Sequence, residues 1–224
     1  KYVYLDVPAS WFAAVEQRIC GTSNHRLSFS QTVKAPNSNL TAQNALWFPG
    51  EGILLKYGDE YVVCGTPGTS LPISGTAGQI KDVWATTANG TQALLELSAA
   101  WASNTMRTDE LSTSAPYFPH KTGDETRRWV GTIAFTGTNQ SEDSESNRLL
   151  WNVDNRVLRS LRAAVLTSSW SMNSTTWRRP NAGSATPGTN QVKWVKGDVG
   201  EAVMAWLHAG VFGRVYGFDG FAHH

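Results

Sequence analysis

The chain has 224 residues, of which 41% are hydrophobic, 11% aromatic and 17% charged. That length holds one large β domain or two small ones with a sizeable core, and so many aromatics with so little charge exclude a disordered chain. A formal net charge of +1 excludes bulk attraction to nucleic acid or anionic membrane, and no apolar run approaches the ~20 residues that cross a bilayer.

In chain order, the first signal is a helix start. Asp6 can cap and Pro8 suits the first turn. Trp11, Phe12, Val15 and Ile19 then fall at helical spacing, and Gly21 follows as a stop. A short amphipathic helix over 7–20 is expected, with its aromatic stripe packed on its own domain or docked on a partner chain. The chain opens on Lys1, so the lack of a visible signal peptide decides nothing about export. Residues 22–45 are polar and crowd Asn, Ser, Thr and Gln around Pro36. They read as an extended arm, and a structureless stretch of that length suits an arm lying on a neighbouring subunit.

From Leu46 the texture changes to short apolar runs divided by turn residues. Residues 53–57 and 61–64 read as a hairpin about Gly58-Asp59. Asn89-Gly90 predicts a second hairpin closed by a two-residue type I′ turn. Residues 142–151, EDSESNRLLW, predict a short helix with an acidic first turn. Arg156, Arg159 and Arg162 recur every third position, and the run from Arg159 onward reads as a strand. Residues 192–218 read as closing strands with Gly-rich breaks. The expected fold is therefore mainly β: an antiparallel β-sandwich of jelly-roll type, with a short N-terminal helix and an extended arm. Residues 1–45 form the helix and arm and 46–224 the β-sandwich domain, a division into two packed β subdomains near residue 120 being left open.

The ten tryptophans are large core aromatics or anchors between chains. Cys20 and Cys64 form no metal pattern; two free buried thiols suit a reducing cytoplasm, with a disulfide as the alternative. Four Asn-x-Ser/Thr sequons start at Asn39, Asn89, Asn139 and Asn173, as chance provides in a chain rich in Ser and Thr.

One segment carries an ordered set of motifs. Gly123-Asp124-Glu-Thr-Arg127-Arg128 leads into a strand ending Val130-Gly131-Thr132-Ile133. Glu142-Asp143-Ser144, Trp151-Asn152, Asn155-Arg156-Val157, Ser169-Trp170, Thr176-Trp177-Arg178 and Asn190-Gln191-Val192 follow. Upstream, Pro49-Gly50-x-Gly52-Ile53 and Ala99-Ala100-Trp101…Arg107 have a weaker counterpart. This order resembles virion structural proteins of tailed bacteriophages, the fibre, tail-tip and head-surface components, over roughly residues 95–200. The resemblance implies a non-enzymatic particle component serving assembly, particle stability or host attachment, in the virion and assembled in the host bacterial cytoplasm. It brings no catalytic residues. The expected protein is a rigid homo-oligomer, a trimer, with other virion proteins and a host surface glycan as partners.

Read for chemistry, the chain shows no nucleophile elbow, phosphate loop or metal-ligand spacing. No catalytic residue, cofactor or metal is assigned. His25, His120 and His208 lie far apart in sequence, and a lone histidine is more often structural than catalytic. Glu142, Asp143 and Glu145 are the densest acidic cluster. A glycosidase needs two carboxylates ~5–10 Å apart, and a Ser-rich, solvated stretch suits a turn or cap better. The arginines among the tryptophans are expected to stack on them or pair with acids. Candidate partner-interface residues are Trp11, Phe12, Val15, Ile19, Trp129, Trp151, Arg156, Trp170 and Trp177. Two other functions stay open: a lectin-like carbohydrate-binding module and a glycan-degrading enzyme of the virion.

Overall fold

β-branched and aromatic runs broken every few residues by Gly, Asn and Pro suit short strands, and the described residues of the chain hold fourteen strands and no helix. The structure is a computed structural model that describes residues 25–50, 52–66, 68–112, 118–162 and 192–197. The helix at 7–20 with Trp11, Phe12, Val15 and Ile19, as well as Cys20, Trp170 and Trp177, lies outside these residues.

The strands are β1 (Leu40–Gln43), β2 (Ala45–Trp47), β3 (Ile53–Tyr57), β4 (Glu60–Cys64), β5 (Ser70–Pro72), β6 (Ile80–Thr86) and β7 (Leu94–Ala100). They continue as β8 (Leu111–Ser112), β9 (His120–Lys121), β10 (Asp124–Ala134), β11 (Ser141–Asp143), β12 (Asn147–Arg148), β13 (Leu150–Asn152) and β14 (Lys193–Trp194). The central sheet runs β7-β6-β10-β9-β8, with β13 also on β10. All of its pairings are antiparallel. Strands before and after residue 120 thus share one sheet. A second sheet runs β1-β11-β12-β14, and β2-β5 and β3-β4 are two-stranded.

One face of the central sheet contributes Val83, Ala85, Leu95, Val130 and Ile133 to the main core. The smaller sheets add Leu46, Ile53, Leu55 and Cys64 to the same cluster. Trp84, Trp129, Trp151 and Val195 form a second cluster. Cys64 is a buried free thiol.

The expected hairpin at 53–64 is present, with Leu55 opposite Val62 and Gly58 at φ 61° in its turn. Other expectations are corrected. Residues 25–29 are buried, with Leu27 and Phe29 in the main core and Ser28 bridged to Trp47. This end of the polar stretch therefore packs on its own chain, because two large apolar side chains there find a core to fill. The hairpin at Asn89-Gly90 exists, but its loop spans 87–93 and only Gly90 has positive φ, at 72°. The reason is a competing pairing: Gly65 takes Thr91 O and Ala93 N, so these residues cannot close a tight turn. Asn89 Oδ1 instead accepts from the Thr91 and Gln92 amides.

No helix forms over 142–151. These residues make β11, β12 and β13, with reciprocal Ser144–Asn147 backbone bonds closing a tight turn. The cause is Asp143, which is 6% exposed and pairs across the hairpin with Arg148; a helix would leave that charge unmatched. From Arg159 as far as Arg162 the chain is not strand. Of the closing strands, the described residues hold β14, which pairs parallel to β12.

Candidate functional site

The most organised polar constellation centres on Asp82 in β6, an acid 1% exposed between Lys81 and Val83. Two bulges place the residues around it. Pairing between β10 and β6 slips between Trp129 and Gly131. That inserts one residue and re-phases the strand, so Trp129 and Thr132 reach the same face although three positions apart. Pairing between β6 and β7 slips between Lys81 and Val83, and the Asp82 amide donates to Ser98 Oγ at 2.8 Å.

The carboxylate is then saturated. Asp82 Oδ1 accepts from Trp129 Nε1 at 3.1 Å and Thr132 Oγ1 at 2.7 Å. Asp82 Oδ2 accepts from Trp101 Nε1 at 2.8 Å and Arg107 Nε at 2.9 Å. Arg107 Nη2 approaches Oδ1 at 3.4 Å and also donates to Gly197 O. A buried charge paired and hydrogen-bonded in this way is tolerated where a bare one is not.

A ladder of rings and guanidiniums is built on this acid. Arg107 lies 4.5 Å from the Trp101 ring and 4.7 Å from the Trp129 ring. Trp129 stacks on Trp151 at 4.9 Å and 23°. Arg156 covers Trp151 at 4.7 Å. The order is therefore Trp101, Arg107, Trp129, Trp151, Arg156, with rings alternating or stacking on cations as their quadrupoles favour. Arg stacked on Trp was the expected economy, and Arg127 likewise pairs with Glu96 at 2.8 Å.

Trp129 and Trp151, at 5% and 8% exposure, turn their faces to their own chain. Arg156 is the exposed outer rung. Asp82, Trp101, Arg107 and Thr132 were not singled out as site residues from sequence. A lone Asp inside the apolar strand IKDVWAT was the available signal, since such an acid needs partners.

A second network ties the 25–29 segment to the end of β13. His25, 1% exposed, has Nδ1 at 3.2 Å from Gly52 O and Nε2 at 3.2 Å from Asp154 Oδ2. Arg128 donates to the same Asp154 oxygen at 2.9 Å and to Leu54 O at 3.1 Å, over the Phe118 ring at 4.7 Å. Burial alone would push the Asp154 carboxyl up, but the His25 hydrogen bond and the Arg128 charge together hold it below the usual range. His120 is buried elsewhere, its Nδ1 3.3 Å from Phe118 O.

The acidic cluster divides. Glu142 accepts from Ser144 Oγ at 2.8 Å and from Asn147 Nδ2. Asp143 points the other way, to Arg148 at 2.9 Å and Arg159 at 3.1 Å. The expected solvated stretch thus holds a buried, doubly paired acid. Among the described residues no group of three metal-binding side chains converges, and no helix is long and apolar enough to cross a membrane.

No family model, curated protein or solved structure matches this chain.

Proposed function

We propose that the chain is a non-enzymatic structural component of a tailed-bacteriophage particle, a rigid homotrimeric module serving assembly, stability or host attachment. The single observation that carries the reading is the overlap of its motif residues with the central sheet and the ladder built on Asp82. Gly123–Ile133 and Trp151–Asn152 supply β10, β13 and two rungs of the ladder, and Trp101 with Arg107 supplies two more. The motif residues thus hold the central sheet together, which suits a particle component. In this reading the sheets close as a jelly-roll-like antiparallel sandwich, and a helix at 7–20 docks on another chain through Trp11, Phe12, Val15 and Ile19. Other virion proteins are the partners, the location is the virion, and the chain performs no chemistry. The alternative is a lectin-like module, favoured by the polar cavity behind the Asp143 hairpin.

Locating the chain in an electron-microscopy map of an intact particle tests the proposal. Density for it as a symmetric surface or tail component is the expected result. Release of reducing sugar from host envelope polysaccharide, abolished by Glu142→Gln or Asp143→Asn, would replace this reading with an enzyme.

A further inference from the structure

Behind the Asp143 hairpin lies a cavity of about 380 Å³, at the small end of the ~300–1,000 Å³ range of ligand sites. It is lined by the 35–39 stretch, by the 157–160 stretch that carries Arg159, and by Glu145 and Arg148. The charges around it do not balance. Arg26, Arg148 and Arg159 all act on Asp143, and Glu145 lines the cavity as a second acid. Among these described groups three guanidiniums stand against two carboxylates, Arg26 acting on Asp143 from outside the lining, an excess of one positive charge. Glu142 does not cancel it, because alternation along β11 turns it to the opposite face, where Ser144 and Asn147 hold it.

The pairing geometry agrees. Arg148 Nη1 donates to Asp143 Oδ1 at 2.9 Å and its Nε to Ser160 O at 3.0 Å. Arg159 Nη1 sits 3.1 Å from Asp143 Oδ2 without an N–H directed at it, and Arg26 Nε is likewise buried without a hydrogen bond among the described residues. One carboxylate cannot serve three forked cations. Burial lowers Arg26 and Arg159 from their usual range against the pull of Asp143, so these cations are incompletely compensated.

We propose that this cavity binds a carboxylate-bearing ligand of monosaccharide size, an acidic sugar of the hexuronate class. Its carboxylate lies against Arg148 and Arg159, which match that planar group. Asn37, Asn39 and Ser160 on the walls meet hydroxyls, and Pro36 and Leu158 meet the C–H face. Glu145 in the lining repels any anion in proportion to its charge, which favours a monoanion over a phosphate dianion. The inference goes beyond the particle reading and does not depend on it, since a free acid binds here in whatever assembly the chain joins.

The test is a titration of the isotopically labelled full chain with sodium glucuronate at constant ionic strength. Glucose, inorganic phosphate, acetylated diglycine and a short oligoglucuronate serve as parallel arms, read at the arginine Nε–H signals. Saturable millimolar shifts at Arg148 and Arg159 with glucuronate, and none with glucose, are expected. Oligoglucuronate binding at least as tightly as the monosaccharide identifies a chain glycan as the source; the reverse identifies the free acid. Arg159→Gln should weaken binding by about tenfold, one charge-assisted hydrogen bond. Asn39→Ala, on the exposed wall, should weaken it with the spectrum otherwise unchanged. Equal shifts with glucose, tighter binding of phosphate or of the peptide carboxylate, no saturation with glucuronate, or unaltered affinity in Asn39→Ala would each overturn the proposal.

Discussion

At Asp82 both carboxylate oxygens are taken by donors, with Trp129 Nε1 shared with Gly131 O and Arg107 Nη2 shared with Gly197 O. Trp101, Trp129, Thr132 and Arg107 all converge on it. Asp82→Asn removes the charge but keeps the volume, leaving Arg107 facing a neutral amide that also brings donors of its own. Breaking a buried pair from one side costs about 3–5 kcal/mol, so the variant should lose that much in chemical denaturation, with little change in the slope. An unchanged midpoint would mean that water replaces the carboxylate. Arg107→Lys separates the two functions of that side chain. It keeps the charge but gives up the planar fork and the contact with two rings, and a loss of about 1–2 kcal/mol is expected. If Lys proves as stable as Arg, the stacking contributes nothing and the charge alone holds Asp82.

At the scale of elements, β10 is the hub, with β6 along one edge and β9 and then β13 along the other. Gly131 sits where β10, β13 and the 25–29 segment meet. A Cβ there would lie 2.4 Å from Trp151 O and 2.6 Å from Leu27 Cδ1. Gly131→Ala must therefore push the paired strands β10 and β13 away from each other, and a loss of about 3 kcal/mol, the upper end for overpacking, is expected. Gly58→Ala meets open space and carries only the strain of φ 61°, about 1 kcal/mol. Thermal unfolding of the pair distinguishes crowding from backbone strain; equal shifts would refute the close packing at Gly131. The tie between β13 and the 25–29 segment is a matter of pH. The Asp154 carboxyl is held below its usual range in the folded chain. Its contribution is therefore present above the unfolded carboxylate pKa and is lost as pH falls through the folded one. Asp154→Asn should flatten this acid limb of the stability profile, and an acid limb of unchanged steepness would assign the loss to other carboxylates.

These elements also show what the sequence made legible. Residues 53–64 were readable because their period-two pattern and Gly58-Asp59 agree with the pairing that forms. Residues 142–151 misled because an acid-rich start mimics a helix terminus, and only the distant Arg159 and the burial of Asp143 reveal a hairpin. Asn89-Gly90 misled because the pairing that overrides its turn comes from Gly65. The ladder was half legible. Arginine stacking on tryptophan was expected from composition, but which rings join depends on two bulges that leave no local mark.

For the whole molecule the open question is what meets the strand edges. Among the described residues β7 and β8 end the central sheet, and β4 pairs only with β3. Unpaired edges invite association unless charged, bent or covered, and two of these strands expose apolar side chains: Val63 on β4 at 59% and Leu94 on β7 at 45%. One bulge bends β10 and the other bends β7 itself between Leu97 and Ala100, leaving β4 and the Leu94 end of β7 without that protection. Burial between copies of the chain protects such strands without lysines, and closed symmetry makes the same patch serve every protomer. The expected outcome is a solution mass that is a multiple of 24.5 kDa, three times it for a trimer, by light scattering. Lysine at either edge supplies the charge that natural edges use against pairing. Val63→Lys or Leu94→Lys should therefore shift the mass toward one chain, and circular dichroism should stay that of the parent. A wild-type chain that is a monomer at high concentration would remove self-association as the cover and leave those edges to another protein.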